Sequence, residues 1–240
     1  MGYDIKPRFN HESLADFENE YLEIINSVKN YTLTSPERMA ALINSIQYIV
    51  KNQISGNIVE CGVWRGGSMM LVAKVLLAMK KTEYDLYLFD TFEGTTKPSK
   101  HDLDYLGNSM LDVWNKEFEG KKILPDSSDF VPLEEVKKNL FSTGYPKEKI
   151  HFIQGNVEDT IPKNAPEKIS LLRLDTDWYK STKHELNNLF PRLTPGGILI
   201  IDDYGQFQGS KKAVDEYFDE NKIPSFLFRI DYTGRLCVKS

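Results

Sequence analysis

The chain has 240 residues, of which 40% are apolar and 12% aromatic, enough for one domain with its own core. Its formal net charge of -5 argues against a general nucleic-acid-binding surface. No apolar stretch is long enough to span a bilayer, and the first residues, MGYDIKPRFNHES, lack the apolar segment of a secretion signal. We therefore expect a soluble cytoplasmic protein without nucleic-acid or membrane partners, whose two cysteines, Cys61 and Cys237, are reduced.

Two helices are predicted before the first strand, over residues 12–29 and 36–51. The second begins in the segment TSPER, where Thr34 or Ser35 can cap the helix and Pro36 suits its first turn. Glu37 can complete a capping box at the same end. We expect residues 1–56 to form a helical segment that packs on the core and covers it as a lid, and residues 57–240 to form the core.

Five short apolar segments follow, namely NIVECG, DLYLFD, IHFIQG, ISLLRLD and ILIIDDY. Between them, apolar residues three and four positions apart predict helices over 68–80, 133–141, 181–190 and 211–221. This alternation is typical of a parallel sheet with helices on both faces. The C-terminal segment FLFRIDYTGRLCVKS instead contains two strand patterns around the turn-forming DYTG. We therefore expect an α/β fold in which a mostly parallel seven-stranded sheet ends in an antiparallel hairpin.

Residues 94–131 form an insertion after the second predicted strand, rich in charged and turn-forming residues. A long loop of this kind is more often a lid or a substrate-specific element than an idle connection. Its apolar residues favour a short helix packed over a site, and they are Tyr105, Leu106, Met110, Leu111, Val113, Trp114 and Phe118. We predict a lid-like role for this insertion.

A glycine-containing segment, VECGVWRGGSMM, joins the first strand to the next helix. Gly62, Gly66 and Gly67 permit close approach of a ligand at a helix N-terminus, but their spacing matches neither the dinucleotide fingerprint nor a phosphate loop. The second strand ends in Asp90, where nucleotide-binding sheets place a carboxylate that accepts hydrogen bonds from ribose. Both features indicate an adenosine-containing cofactor. Glu60 would repel a phosphate but attract a sulfonium and its ammonium group, so we expect a cationic cofactor.

Four carboxylates follow the last two of the five apolar segments. They are Asp175 and Asp177 in LLRLDTDWYKST, and Asp202 and Asp203 in GGILIIDDYG. Either pair alone could cap a helix or begin a turn. Together with the glycine turn and Asp90, however, they favour a functional site.

Five segments, in this order and at these intervals, resemble the macrocin O-methyltransferase family: IVECGVWRGGS, LYLFDTFEG, GNVEDTIP, LLRLDTDWYKST and LTPGGILIIDDYG. The resemblance extends from TSPER to about Phe218 and implies a Rossmann-like class I methyltransferase fold that uses S-adenosylmethionine and Mg²⁺. It implies that Asp175, Asp202 and Asp203 bind the metal and that Asp177 is the general base. The cofactor-binding residues that it implies are Glu60, Gly62, Ser68, Asp90, Thr91, Phe92, Gly155, Asp159 and Asp175. The insertion after DTFEG departs most from the family pattern.

The geometry of such a fold also favours a metal at the four carboxylates. The fourth and fifth strands are neighbours, about 4.8 Å apart, so acids at their carboxyl ends converge and repel each other unless a cation lies among them. Oxygen ligands without nearby His or Cys favour Mg²⁺, with Mn²⁺ or Ca²⁺ as alternatives. By the strand period of two, Asp177 shares a face with Asp175, close enough to accept a proton from a bound hydroxyl.

We therefore expect an enzyme, a Mg²⁺-dependent O-methyltransferase that transfers the methyl group of S-adenosylmethionine to a small-molecule hydroxyl. The expected acceptor is a sugar or another polyhydroxylated compound in natural-product or glycan biosynthesis. The alternatives are a catechol-type O-methyltransferase and a non-catalytic S-adenosylmethionine-binding module, although a pure binder has no use for three metal ligands. The sequence is compatible with a homodimer or a higher homo-oligomer, and it leaves the acceptor and the methylated position open.

Overall fold

A computed structural model describes residues 14, 16–118, 130–224 and 226–240. Its strands are β1 Asn57–Cys61, β2 Leu86–Asp90, β3 Ile150–Gln154, β4 Ile169–Leu174, β5 Leu193–Ile201, β6 Phe228–Arg229 and β7 Arg235–Val238. They form one seven-stranded sheet in the order β3-β2-β1-β4-β5-β7-β6. Strands β1 to β5 are parallel, whereas β7 pairs antiparallel with β5 and with β6. The predicted α/β fold with a C-terminal hairpin is confirmed.

The helices in the described part of the chain are α1 Asn19–Val28, α2 Pro36–Lys51, α3 Gly67–Ala78, α4 Met110–Phe118, α5 Leu133–Phe141, α6 Val157–Thr160, α7 Tyr179–Leu189 and α8 Gln208–Glu220. Short 3-10 turns lie at Lys29–Tyr31, Lys147–Lys149 and Phe190–Arg192. The predicted bounds of α2 and α5 are those observed. The helix predicted over 12–29 begins only at Asn19, since residues 16–18 are described and are not helical, whereas residues 12, 13 and 15 lie outside the described residues. None of the described helices has the length and apolar character needed to cross a membrane.

Helices cover both faces of the sheet, because alternate residues of each strand point to opposite sides. On one face, Ile58 of β1 and Leu171 of β4 pack into a core with residues of α1, α2, α3 and α5. On the other face, Val59 and Leu172 pack with residues of α7 and α8. Burial on both sides explains why these strands are almost continuously apolar in the sequence. Cys61, on β1, and Cys237, on β7, are both buried.

The N-terminal helices pack against the core through α3. Ser35 caps α2, since its Oγ accepts a hydrogen bond from the Arg38 backbone N–H at 3.1 Å. The third helical position is therefore Arg38, so Glu37 does not complete the predicted capping box. The division of the chain into a lid-forming segment 1–56 and a core 57–240 stays a prediction.

The described first part of the insertion is anchored to the starts of α7 and α8. Asp102 is fully buried, and its Oδ1 accepts the Tyr179 N–H at 2.7 Å, while the Leu103 carbonyl accepts the Gln208 N–H at 2.8 Å. The insertion thus satisfies backbone donors at both helix N-termini. Both helices begin earlier than predicted because these caps come from a distant part of the chain.

The insertion contains a short helix, α4, but three of the apolar residues expected to pack over the site are exposed, namely Tyr105, Leu106 and Val113. Tyr105 and Leu106 are 60% and 70% exposed, because Asp104 closes a tight turn around them by accepting the N–H groups of Leu106 and Asn108. Residues 119–129 lie outside the described residues, so the lid-like role of the complete insertion stays a prediction.

A close backbone contact between β1 and the loop after β4 leads to a stability prediction. Gly62 has φ +82°, and a Cβ there would lie 1.9 Å from the Asp175 carbonyl oxygen. Gly144 has nearly the same φ, +83°, with nothing within 4 Å of its Cβ position. We expect Gly144→Ala to cost about 1–2 kcal/mol of backbone strain, and Gly62→Ala to cost more than about 3 kcal/mol because the loop must also move. Urea unfolding of both variants measures the difference, and equal losses would contradict the close contact.

Candidate active site

A cleft of about 440 Å³ lies at the carboxyl ends of the parallel strands. Residues that follow each of β1 to β5 line it, and the rim includes the segment between α1 and α2 and the turn of the C-terminal hairpin. Open parallel sheets bind their ligands at this edge, where successive loops diverge. The topology therefore brings the predicted cofactor-binding segments and the predicted acids to one cavity.

The structure places most of the predicted cofactor-binding residues in the lining of this cleft, namely Gly62, Ser68, Asp90, Thr91, Phe92, Gly155 and Asp175. Asp159 is exposed and does not belong to the lining, because α6 begins at Val157 and turns this side chain towards solvent. The neighbouring Asn156, Val157 and Glu158 line the cleft in its place. The segment GNVEDTIP thus reaches the cleft through its earlier residues, and its contact with a cofactor stays a prediction.

Asp90 organises the two loops on this side of the cleft. Its Oδ2 accepts the N–H groups of Val63 at 2.6 Å and Trp64 at 3.2 Å, and its Oδ1 accepts that of Phe92 at 2.7 Å. Trp64 and Phe92 both have positive φ, 48° and 54°, so the loops turn tightly around this carboxylate. Each carboxylate oxygen has two lone pairs, so Oδ2 is fully used by its two N–H donors, whereas Oδ1 can accept one more hydrogen bond from a ligand. The predicted ribose contact remains a prediction.

Arg173, on β4, lies among the acids and was not predicted as a site residue. Its Nη1 lies 2.7 Å from Glu60 Oε1 and 2.8 Å from Asp175 Oδ2, and its Nη2 donates to Asp202 Oδ1 at 2.5 Å. The side chain is only 3% exposed, although it lines the cleft. An arginine within the apolar strand LLRLD was the available signal, because a buried guanidinium requires acidic partners.

Glu60 lies beneath the cleft rather than in its lining. It is 1% exposed, it pairs with Arg173, and burial raises its pKa to about 7 despite this pairing. The expected direct contact between Glu60 and a cationic cofactor is therefore not supported by its position. The reason is that Glu60 is paired with Arg173 of the neighbouring strand β4, a partner that the sequence did not predict.

Asp202 is held by two arginines. Arg173 contacts its Oδ1, and Arg38 of α2 contacts its Oδ2 through Nη1. Arg38 is itself 8% exposed and also reaches Asp231, in the hairpin turn, at 3.0 Å. Sequence reasoning did not identify Arg38, because its partners are far away along the chain.

The three predicted metal ligands come together in the cleft. One carboxylate oxygen each of Asp175, Asp202 and Asp203 lies within 4.8 Å of the others. Burial raises the pKa of Asp203 well above its usual range, as does the nearby charge of Asp177. Burial likewise raises the pKa of Asp175, in spite of Arg173. These oxygen ligands and their excess negative charge fit a hard divalent cation.

Asp177 reaches the cleft by a different route from the one expected. Strand β4 ends at Leu174, the chain turns, and Asp177 has φ 65°, with its N–H donating to Asp203 Oδ2 at 3.0 Å. Asp175 and Asp177 therefore do not share a strand face, so the period-of-two argument was wrong. Asp177 nevertheless lines the cleft beside Asp175 and Asp203. Its predicted role as general base is a separate matter and stays a prediction.

A buried carboxyl group supports the loop that contains Asp177. Thr176 Oγ1 donates to Glu185 Oε1 at 2.9 Å, and Glu185, on α7, is fully buried. Burial raises the pKa of Glu185 from 4.5 to about 8. In the folded protein this side chain therefore remains protonated over a pH range in which it is ionised in the unfolded chain.

This difference predicts a pH-dependent stability. The contribution of neutral Glu185 is complete below about pH 4.5 and is lost as the pH rises to about 8, because the unfolded chain releases its proton first. The loss amounts to up to about 5 kcal/mol. We expect Glu185→Gln, which keeps an acceptor for Thr176, to flatten this part of the curve in urea unfolding between pH 5 and 8. Surface Glu134→Gln is the control, and parallel curves for the native protein and Glu185→Gln would refute the assignment.

Comparisons with known proteins identify the family of this chain. The chain matches the model of the family described as Macrocin-O-methyltransferase over residues 25–238. It is 32% identical over 204 residues to the 8-demethyl-8-(2,3-dimethoxy-alpha-L-rhamnosyl)-tetracenomycin-C 4'-O-methyltransferase of Streptomyces olivaceus, covering 85% of this chain and 74% of that protein. It is 30% identical over 204 residues to the demethyldecarbamoylnovobiocin O-methyltransferase of Streptomyces niveus, with the same shares covered, 85% and 74%.

A solved structure, that of the O-methyltransferase NovP, superimposes with a TM-score of 0.76 at 27% identity, covering 88% of this chain and 82% of that chain. The matched range, 25–238, spans all the residues that line the cleft. The family and both relatives are named as O-methyltransferases, so the alternative of a non-catalytic binding module is set aside. The chain belongs to the macrocin O-methyltransferase family and is an S-adenosylmethionine-dependent O-methyltransferase.

Proposed function

We propose that the protein is a Mg²⁺-dependent O-methyltransferase that methylates a sugar hydroxyl of a glycosylated natural product. The observation that carries this proposal is the convergence of Asp175, Asp202 and Asp203 within 4.8 Å, next to Asp177 and at one end of the cofactor cleft. An alkyl hydroxyl is a weak nucleophile, so its methylation requires help with both orientation and proton removal. The acids supply ligands for a cation and an acceptor for the proton.

S-adenosylmethionine would occupy the side of the cleft formed by the loops after β1, β2 and β3. Gly62 permits close approach of the backbone to a ligand, and Ser68 lies in the first turn of α3. Asp90 lies where this kind of sheet places a carboxylate that binds the ribose hydroxyls. The positive sulfonium would then lie towards Asp175, which attracts it electrostatically. Asp175, Asp177 and Asp203 line the same end of the cleft, so an acceptor held there would lie near the methyl group that the cofactor would supply.

Asp175, Asp202 and Asp203 would hold the metal. When bound, Mg²⁺ supplies a Lewis acid that orients the acceptor and lowers the pKa of its hydroxyl. Asp177 is the proposed general base, since it lines the same end of the cleft and its N–H is tied to Asp203, which fixes the loop. A carboxylate in this position accepts the proton as the oxygen attacks the methyl carbon, and S-adenosylhomocysteine leaves.

The rim supports an acceptor that carries a large apolar group beyond its sugar. Leu33 and Tyr232 line the mouth of the cleft, yet they are 79% and 59% exposed. Exposed apolar side chains at a cavity entrance are suited to cover an apolar part of a ligand. The relative from Streptomyces olivaceus is named for a rhamnosyl group on tetracenomycin C, which is a glycoside of this kind.

An acceptor assay tests the proposal. The protein is incubated with S-adenosylmethionine and a panel of glycosides, free sugars and catechols, with Mg²⁺ or with EDTA, and methylated products are detected by mass spectrometry. We expect glycosides to be methylated, and EDTA to abolish the reaction until Mg²⁺ is restored. Methylation of catechols alone would favour the catechol-type alternative, and full activity in EDTA would refute the metal requirement.

The roles of Asp175 and Asp177 can be separated by metal titration. Asp175→Asn should raise the Mg²⁺ concentration needed for activity, and added metal should partly restore the rate, because occupancy follows mass action. Asp177→Asn should leave metal and cofactor affinities nearly unchanged while lowering turnover roughly 10²- to 10⁴-fold. Added metal should not restore that loss. Superimposable titration curves for the two variants would refute this division of roles.

The rim can be tested through the apparent affinity for the acceptor. We expect Leu33→Ala combined with Tyr232→Ala to raise the KM for an apolar glycoside by roughly tenfold or more, through loss of apolar contact area. The KM for S-adenosylmethionine should stay unchanged. Leu106→Ala is the matched control, because Leu106 is 70% exposed but does not line the cleft. An equal effect on a free sugar would show that the rim does not contact the apolar group.

A further inference from the structure

Arg38 carries a positive charge from the N-terminal helix α2 to the acids at the end of β5. Its Nη1 contacts Asp202 Oδ2, its Nε donates to Asp231 Oδ2 at 3.0 Å, and the residue is 8% exposed. Arg173 holds the other oxygen of Asp202 at 2.5 Å. The carboxylate of Asp202 is thus fixed from two sides by buried guanidinium groups.

The same contacts join α2 to the C-terminal hairpin. Asp231 accepts hydrogen bonds from Ser35 Oγ at 2.7 Å and from the N–H groups of Thr233 at 3.0 Å and Gly234 at 2.6 Å. Thr233 Oγ1 then donates to the Asp202 carbonyl at 2.7 Å, which closes the network. Arg38 is therefore anchored by Asp231 while its terminal nitrogen points to Asp202.

The network places a positive charge beside a cluster of three carboxylates. Asp202 lies beside Asp175 and Asp203, and without a nearby cation the three carboxylates repel each other at short range. A guanidinium is always charged and holds a carboxylate in a fixed direction, whereas a bound metal can leave. Burial makes Asp202 depend more strongly on both guanidinium groups, because a buried carboxylate is destabilising when its charge is only partly compensated.

We propose that Arg38 is a positioning residue for the acid cluster. It supplies a permanent counter-charge and fixes the orientation of Asp202, so that the cluster is assembled before a metal or an acceptor enters. The N-terminal helix α2 then packs on the core and also supplies a side chain that orients the acids of the site. This orientation of Asp202 can be tested without any metal, whereas the link to metal binding rests on the proposed function.

A double-mutant cycle in EDTA tests the positioning itself. We expect Arg38→Met to lower the Tm by roughly 10 °C, and to lower it much less when Asp202→Asn is already present, since the carboxylate that loses one of its two guanidinium partners is then absent. The Tm of Arg38→Lys should lie between those of the native protein and Arg38→Met, because lysine keeps the charge but not the forked geometry. If Arg38→Met fails to fold, Arg38→Lys replaces it in the cycle. Arg192→Met is the matched control, because Arg192 Nη1 donates to the Ala165 and Pro166 carbonyls. Its effect should be the same in both backgrounds, and equal losses for Arg38→Met in both would overturn the proposal.

A second measurement adds Mg²⁺ to the same variants. With the guanidinium removed, the acids retain more uncompensated charge, so Mg²⁺ should raise the Tm of Arg38→Met by more than that of the native protein or Arg192→Met. Equal increases in all three would show that Arg38 supplies no counter-charge to the cluster and would overturn that part of the proposal. If Mg²⁺ shifts none of them, the proposed metal site fails, and the cycle in EDTA still decides the role of Arg38.

Discussion

The pairing of Arg173 with three acids is the interaction on which the functional end of this molecule depends. A fully buried strand leads directly into the cleft, and its one charged side chain joins Glu60, Asp175 and Asp202 across three neighbouring strands. Without that guanidinium, the acids could not share a buried space at the carboxyl edge of the sheet. The arrangement explains how a chain can concentrate like charges there and remain folded when no metal is bound.

Local pattern was sufficient for most of the fold. The five parallel strands and the hairpin followed from short apolar runs and the DYTG turn, and the bounds of α2 and α5 followed from helical periodicity. These features depend on residues near each other in the sequence, which is why they could be predicted. The starts of α7 and α8 could not, because their caps are Asp102 and the Leu103 carbonyl, supplied by the insertion.

The features of the site also fall into those that follow from the local sequence and those that depend on distant residues. Asp175, Asp202 and Asp203 converge because each follows a parallel strand, a relation that the strand pattern already contains. The positive φ of Asp177 and the placement of Glu60 depend instead on packing between loops and on a partner on the adjacent strand. Sequence reasoning therefore identified which residues meet in the cleft better than it identified how each one is held.

The link between Arg38 and Asp231 spans 193 positions of the chain. A contact of such long range stabilises the protein only after the entropy of closing the intervening loop has been paid. Until β7 pairs with β5, one edge of β5 has unpaired backbone groups, an arrangement that invites association with other chains. The hairpin that brings Asp231 to Arg38 also covers that edge. A chain without its hairpin would therefore leave the edge of β5 open and would also lack the Asp231 contact that anchors Arg38.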